Sequence, residues 1–330
     1  MKSHRSLAIA LLLTIAADFS AAQQETVYMS VLASRKHRHG ASDNPVVGLF
    51  VSTDAGLSWT HRGWREYIRL FHTEPGQGST VWSAAGNGVL RSTDGGLTWR
   101  VTTGSDVTEV LKVRPHPTDP AVVYAATAYG VIRSGDGGET WQYRTTGFRR
   151  KFASDIVVDR GNGRCLLAAT EQGVYRSENE GKTWVPTSLH GTIANVLLQN
   201  PRATREFWAG TEERGVFRSS DGGVRWTSVA VAGNPPVYAL AMNPRNPSTI
   251  FVGTYQQGVF VSRDGGASWR QSNQGLQNLD VHSLVVIPSD TSVVLAGTLN
   301  GGLFRSTDGG TTWTFNSQDD SQAYGLSVRP

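Results

Sequence analysis

The residues best suited to chemistry in this chain are aspartates that recur inside one octapeptide. The octapeptide reads STDGGLTW at 92–99 and occurs in seven copies that differ by small changes. Aspartates such as Asp94, Asp136 and Asp308 could bind a metal or transfer protons. In a tight turn, however, Asp and Ser hydrogen-bond backbone amides, while Gly supplies positive φ. Because Asn179 replaces the aspartate in one copy, we expect a structural turn and predict neither a metal site nor a cofactor.

The octapeptides set a period along the chain. Each ends in tryptophan, and successive tryptophans lie 40 to 44 residues apart. The seven are Trp59, Trp99, Trp141, Trp184, Trp226, Trp269 and Trp313. Between them, each repeat contains four short β-rich runs bounded by Gly, Pro and Asn, which is typical of a four-stranded meander. Repeats of this length and strand content predict a β-propeller.

The two ends of the chain indicate how the ring closes. TVYMSVLA, at 26–33, matches the second strand of the repeat, whereas AYGLSVRP, at 323–330, matches the first strand. The last strand should therefore complete the first blade and leave no open edge. The sequence predicts an all-β fold, a seven-bladed propeller with four-stranded antiparallel blades, in a single domain over 23–330.

The first residues are typical of an export signal. Lys2 and Arg5 precede the apolar run 7–17, and small residues follow at 20–22. We therefore expect a signal peptide over 1–22, cleaved near Ala22, and a periplasmic or extracellular mature protein. The apolar run is too short to predict a membrane-spanning protein. The single cysteine excludes an internal disulfide framework.

The octapeptide is identified as the Asp-box, or BNR repeat. It resembles the repeats of sialidases, sortilin-type propellers, xyloglucanases and the photosystem II stability/assembly factor propellers. The resemblance covers nearly the whole chain after 22 and implies a propeller, but a shared fold does not by itself establish function. It also implies that the box hairpins lie on the face opposite the usual ligand site.

Positions that differ among the repeats are free to serve a ligand. We align the first strands on the proline at their ends, which Arg160 replaces in the fourth blade. Large apolar residues lie four residues before it, from Phe71 to Leu326, and should pack between blades. Six residues before it, the side chains are polar or half-polar and should ring the channel mouth. The ligand-binding candidates in that ring are Arg69, Glu109, Asn195, Tyr238, His282 and Tyr324. Such a rim suits a glycan, peptide or loop, but a water-filled channel needs a polar rim too.

Basic residues cluster on loops predicted to lie at the same face. They are Arg35, Lys36 and Arg38 in one lengthened turn, Arg62 and Arg65 after the first blade, and Arg149, Arg150 and Lys151 after the third. This basic face could attract an acidic protein, an acidic polysaccharide or a lipid surface. It could also be a set of solvated loops.

Carboxylates at the predicted mouth leave a glycosidase open. Such enzymes need two facing carboxyl groups, and Glu109 could pair with Glu171, Glu212 or Glu213. Nothing in the sequence selects one pair. The resemblance to sialidases and xyloglucanases is incomplete, because the Arg-Ile-Pro motif, the aspartates in the turns and a second propeller are missing.

The favoured prediction is an exported, monomeric, non-catalytic scaffold for an unidentified protein, peptide or polysaccharide. The resemblance to photosystem II assembly factors, which are single exported propellers, points the same way. The alternative is a sialidase-like or xyloglucanase-like glycoside hydrolase, or a carbohydrate-binding propeller. The formal net charge of +4 is too small to indicate nucleic-acid binding.

Overall fold

The protein forms seven four-stranded sheets arranged as the blades of a propeller. The structure, a computed structural model, describes residues 25–34, 47–62 and 69–329. Every regular element within those ranges is a β-strand. The described residues contain no helix that is long and apolar enough to cross a membrane. The predicted signal peptide lies outside the described residues. The predicted all-β seven-bladed propeller is confirmed.

The strands are numbered in chain order, and each blade is listed with its bounds. Blade 1 has β1 (Thr26–Ser34), β2 (Gly48–Ser52), β3 (Thr60–Arg62) and β28 (Ser321–Arg329). Blade 2 has β4 (Leu70–Pro75), β5 (Val81–Ala85), β6 (Gly88–Ser92) and β7 (Arg100–Val101). Blade 3 has β8 (Val110–Pro115), β9 (Val123–Thr127), β10 (Gly130–Ser134) and β11 (Gln142–Tyr143). Blade 4 has β12 (Ala153–Val158), β13 (Leu166–Thr170), β14 (Gly173–Ser177) and β15 (Val185–His190). Blade 5 has β16 (Ala194–Gln199), β17 (Phe207–Thr211), β18 (Val216–Ser219) and β19 (Thr227–Val229). Blade 6 has β20 (Val237–Met242), β21 (Ile250–Thr254), β22 (Gly258–Ser262) and β23 (Arg270–Gln271). Blade 7 has β24 (Val281–Val286), β25 (Val294–Thr298), β26 (Gly302–Ser306) and β27 (Thr314–Ser317).

The ring closes by pairing the last strand with the first. β28 runs antiparallel to β1, with Met29 opposite Leu326 and Thr26 opposite Arg329. The strand order of blade 1 is therefore β28-β1-β2-β3, whereas the other six blades use four consecutive strands. The predicted split blade is confirmed, and β1 has a partner on both sides.

The core lies between the blades. The second strand of blades 2 to 7 is buried at every residue, as in VYAAT of β9. Large side chains from one sheet pack on small ones from the next. For example, Trp82 of blade 2 shares a cluster with Val113 and Val123 of blade 3. Each blade thus buries both faces against its neighbours, which a single sheet cannot do alone.

The box aspartates hold the hairpin between the third and fourth strands. In box 2, Ser92 Oγ donates to Asp94 Oδ1 over 2.7 Å, and the same oxygen accepts from Thr98 N at 2.9 Å. The hydrogen bonds from Thr98 hold the pKa of Asp94 well below its usual range. Asn179 keeps the acceptor role with Oδ1, while its Nδ2 donates to Thr183 Oγ1 at 2.9 Å. The predicted turn role of the aspartates is confirmed.

The boxes are also tied to the preceding blade. Trp184 Nε1 donates to the Arg144 carbonyl at 2.9 Å, and Trp313 Nε1 donates to the Ser272 carbonyl at 2.7 Å. Arginines of the third strand support such junctions from the other side. Arg91 Nη1 of blade 2, for example, donates to the Gly137 carbonyl in the box of blade 3 at 2.9 Å. These bonds tie neighbouring blades together at the outer rim.

Closure predicts a large cost for losing the last strand. Deleting residues 323–330 would remove most of β28 and uncover Val27, Met29 and Val31 of β1, all of which are fully buried. We expect loss of the cooperative thermal transition or aggregation, because a buried apolar strand becomes an open edge. Calorimetry measures this, and a truncated protein with the native melting temperature would contradict the split-blade closure.

The boxes predict unequal costs for two neighbouring substitutions. Trp226 is 8% exposed and packs with Leu197 and Phe207, so Trp226→Ala should lower the free energy of unfolding by about 3–5 kcal/mol. Asp221→Asn should cost about 1 kcal/mol or less, because an asparagine oxygen can still accept from the turn amides as Asn179 does. Denaturant unfolding compares them, and equal losses would show that the carboxylate charge stabilises the turn.

Candidate functional site

Each innermost strand has a β-bulge near its start, at the second residue of the strand in blades 2 to 7 and at the fourth residue of β28 in blade 1. The bulged residues are Phe71, Leu111, Ser154, Asn195, Tyr238, His282 and Tyr324. This set differs from the predicted ring in two blades. β4 and β8 include the proline at their ends, Pro75 and Pro115, whereas the other inner strands end before the aligned proline or arginine. The sequence alignment on this proline therefore placed the ring residue two positions too early in blades 2 and 3.

The correction moves Arg69 and Glu109 off the inner strands. Both precede their strands and are exposed. The Arg69 carbonyl accepts from Gly86 N at 3.0 Å, and Glu109 N donates to the Gly86 carbonyl at 2.9 Å, so both residues flank one turn of blade 2. Glu109 adopts a φ of 51°. Phe71 and Leu111, which we expected between the blades, occupy the ring positions instead.

Rings from adjacent blades form a continuous arc at the mouth. This aromatic arc consists of Tyr255, Tyr238, His282, Tyr324 and Phe71. Successive ring centroids lie 6.5, 4.5, 5.4 and 5.8 Å apart. Tyr238 and His282 are stacked at 17°, and the two end contacts are edge-on. The structure thus brings the predicted Tyr238, His282 and Tyr324 together.

A carboxylate from the neighbouring blade holds Tyr238 within the arc. Tyr238 Oη donates to Glu212 Oε1 at 3.0 Å, and Asn195 Nδ2 donates to Glu212 Oε2 at 2.8 Å. Burial, together with the hydrogen bond to Glu212, raises the pKa of Tyr238. Burial lowers the pKa of His282. The Tyr238 hydroxyl and the Asn195 amide are therefore both held by the Glu212 carboxylate.

The predicted basic face is only partly described. Arg35, Lys36, Arg38 and Arg65 lie outside the described residues. Arg149, Arg150 and Lys151 are exposed on the loop before β12, and Arg150 Nη1 is 3.5 Å from Glu171 Oε2. Arg62 lies elsewhere, because its Nη1 donates to the Gly95 carbonyl in the box of blade 2. We correct Arg62 to a contact between blades.

A group of ionisable side chains that the sequence analysis missed lies on the inner strands of blades 2 to 4. This channel ion cluster consists of His72, Glu74, Lys112, Arg114 and Asp155. Arg114 Nη1 is 2.7 Å from Glu74 Oε2, and its Nη2 is 3.5 Å from Asp155 Oδ1. His72 Nε2 is 3.2 Å from Glu74 Oε2. The sequence did carry a signal for this cluster. At one aligned repeat position, blades 2 to 4 have His72, Lys112 and Asp155, whereas the remaining blades have Val, Ala, Ser or Gly.

The cluster joins three blades, and its members shift one another's pKa values. Asp155 is fully buried and accepts from Leu197 N at 3.0 Å, so it also reaches blade 5. Burial, together with the positive charge of Lys112, lowers the pKa of His72 to about 4. Burial alone would raise the pKa of Glu74, but Arg114 and His72 bring it down to about 2. Among the residues described, no group of three or more His, Cys, Asp or Glu side chains could hold a metal ion.

Comparisons with known proteins establish the fold and no family. No protein-family model and no curated protein matches the chain. It is similar in structure to the GH74 xyloglucanase from Xanthomonas campestris, with 16% identity and a TM-score of 0.68 over 84% of this chain and 52% of that one. The chain spans 38% of an ancestral GH74 enzyme and 54% of the Niastella koreensis GH74 enzyme.

Two other kinds of protein share the propeller. YCF48 from Cyanidioschyzon merolae is 16% identical, with a TM-score of 0.59 over 79% of this chain and 86% of that one. The extracellular domain of the putative one component system BT4673 from B. thetaiotaomicron is 16% identical, with a TM-score of 0.64 over 78% of this chain and 36% of that one. The same fold thus occurs in an enzyme, in YCF48 and in a signalling ectodomain.

The channel ion cluster predicts a loss of stability in mild acid. The folded state keeps His72 neutral down to a pKa of about 4, against 6.5 ordinarily. Between those values the unfolded chain binds a proton that the native state does not, so stability falls as the pH drops from 6.5 to 4. Glu74 adds a second loss as the pH drops from 4.5 to about 2.

His72→Gln tests this assignment. The variant should reduce the fall in unfolding free energy across the upper pH window by about 2–3 kcal/mol, whatever its stability at neutral pH. His190→Gln, at an exposed position, is the matched control and should keep the native slope. Urea titrations at several pH values give the slopes, and an unchanged slope for His72→Gln would contradict the assignment.

Proposed function

We propose that this protein is an exported, monomeric, non-catalytic propeller that holds a protein or glycan partner at the channel mouth. The observation that carries the proposal is the aromatic arc, whose rings come from consecutive blades and in which Tyr238 is held by Glu212. Its export rests on the signal-like sequence at 1–22.

The arc has the properties of a prepared binding surface. Tyrosine and histidine offer large apolar area with a polar tip, and the stacked rings lose little conformational freedom when a ligand arrives. An amide group lies beside Tyr238, since Asn195 Nδ2 donates to the same Glu212 carboxylate that Tyr238 binds. Such a surface can hydrogen-bond and cover a ligand without doing chemistry on it.

The similar structures include proteins of the proposed kind. One YCF48 structure holds a D1 peptide, with a TM-score of 0.57 to this chain. At 16% identity, this likeness supports the idea that a propeller of this fold can serve as a peptide-binding scaffold. It does not indicate that this protein binds the same peptide.

The likeness to GH74 enzymes makes glycoside hydrolysis the second candidate. Hydrolysis needs one carboxyl group able to donate a proton and a second facing it. Glu212 already accepts two hydrogen bonds, and Glu171 lies 3.5 Å from the Arg150 guanidinium. Glu212, one of the rim carboxylates that could have formed the pair, is therefore already engaged by the scaffold.

Substitution of Tyr238 tests the proposed binding face. Tyr238→Ala opens a gap in the aromatic arc. It should weaken the affinity for the ligands that wild type selects from glycan and peptide arrays by about tenfold or more. Tyr238→Phe keeps the ring and should lose less. Tyr143→Ala is the control, because Tyr143 is 41% exposed on the outer strand β11. Array ligands that bind Tyr238→Ala as strongly as wild type would contradict the proposal.

An activity assay separates the two candidates. Purified protein incubated with xyloglucan, other β-glucans and sialosides should release no reducing sugar or sialic acid. Hydrolysis that disappears in Glu109→Gln or Glu212→Gln, with substrate binding kept, would establish the hydrolase instead.

A further inference from the structure

Blade 4 has a longer outer strand than the five blades whose outer strands the structure describes to both ends. β15 contains six residues, whereas the outermost strands of blades 2, 3, 5, 6 and 7 contain two to four. A groove of about 530 Å³ lies beside its end at His190, and a second of about 630 Å³ lies beside its start at Val185. Pro186 lines both grooves. The long strand therefore separates two adjoining grooves that meet at one residue.

The first groove is basic. Arg149, Arg150 and His190 line it, with Glu171 as the acidic member. Arg149 is exposed and makes no hydrogen bond or ion pair with any residue that the structure describes. Arg150 is 68% exposed and reaches Glu171 only at 3.5 Å. Guanidinium groups without tight partners present a fork that matches a carboxylate.

The second groove combines apolar side chains with charges that are already paired. Val185 is 60% exposed and Val224 is 46% exposed, and both line this groove. The arginines at its rim have carboxylate partners, since Arg176 pairs with Glu178 and Arg225 Nε is 3.0 Å from Asp221 Oδ2. The groove thus offers aliphatic surface without a free charge.

We propose that these grooves bind an extended peptide of a partner protein, with an acidic side chain at Arg149 and Arg150 and an aliphatic side chain on Val185 and Val224. The charge of one groove and the apolar surface of the other select this occupant together. An acidic polysaccharide would satisfy the arginines but has no aliphatic group for the valines. The peptide crosses β15 at Pro186, which has no N–H to offer, so recognition is by side chains and not by strand addition.

The test uses short synthetic peptides and the full-length mature protein. The set consists of blocked peptides with one Glu and one Leu separated by Gly-Ser spacers of increasing length, with Gln-for-Glu and Ser-for-Leu partners. Isothermal titration or NMR titration at up to about millimolar concentration detects weak binding. We expect one spacer length to bind best, and its Gln and Ser partners to bind about tenfold more weakly.

Two variants assign the ends of the peptide. Arg149→Ser with Arg150→Ser should remove the preference for Glu over Gln but keep that for Leu over Ser. Val185→Ser with Val224→Ser should do the reverse. Arg270→Ser, at an exposed arginine of blade 6, is the control and should bind like wild type. Circular dichroism establishes that each variant is folded.

Several outcomes would overturn the proposal. They are the absence of saturable binding across the whole set, an equal loss in Arg270→Ser, and preference for oligogalacturonate over every Glu-Leu peptide. Because the grooves lie on the outer strand of blade 4, these outcomes leave the proposal for the channel mouth untouched.

Discussion

The structure depends on one constraint, which is that no blade can bury both faces of its sheet unless the ring is closed. Each four-stranded sheet is apolar on both sides, and its residues are covered by the preceding and following blades. The pairing of β1 with β28 supplies the last of these contacts, because it seats Leu326 among Val27, Met29 and Leu295. Closure thus converts seven unstable sheets into one core.

The junctions between blades change character from rim to channel. At the rim, Trp184 and Trp313 donate hydrogen bonds to backbone carbonyls of the preceding blade, and Arg91 donates to one of the following blade. Midway, aliphatic and aromatic side chains fill the space between sheets. Near the channel, blades 2 to 4 depart from this pattern, because ionisable groups, among them the buried His72 and Asp155, replace uncharged residues. A buried charge is tolerated when it is paired, and Arg114 pairs with both Glu74 and Asp155.

The same repetition separates scaffold from function. Positions that every blade needs are occupied by the box serines, glycines and tryptophans, whose contacts are satisfied within the fold. Positions that the fold does not need vary, and they include the bulged residues at the mouth and the length of the outer strand. The aromatic arc and the grooves of β15 both arise at such positions. They lie on different parts of the molecule, so one propeller can hold two unrelated contacts.

The sequence by itself determined the architecture, because the octapeptides, their spacing and the mismatched ends are local patterns that repeat. It also identified Asn195, Tyr238, His282 and Tyr324 as ring residues, since the proline keeps one offset from the strand in those blades. The sequence placed Arg69 and Glu109 in the ring wrongly. In blades 2 and 3 the inner strand lies two residues closer to the proline, and this shift leaves no trace in composition.

Only the tertiary structure decided which side chains meet. Glu212 binds Tyr238 across 26 residues of sequence, and Arg114 meets Glu74 and Asp155 across about one repeat on either side. Contacts of this kind depend on the bulge at the start of each inner strand and on the angle between neighbouring sheets. Neither is encoded in a local residue pattern, so the partners at the mouth, in the channel and beside β15 emerge only when the ring closes.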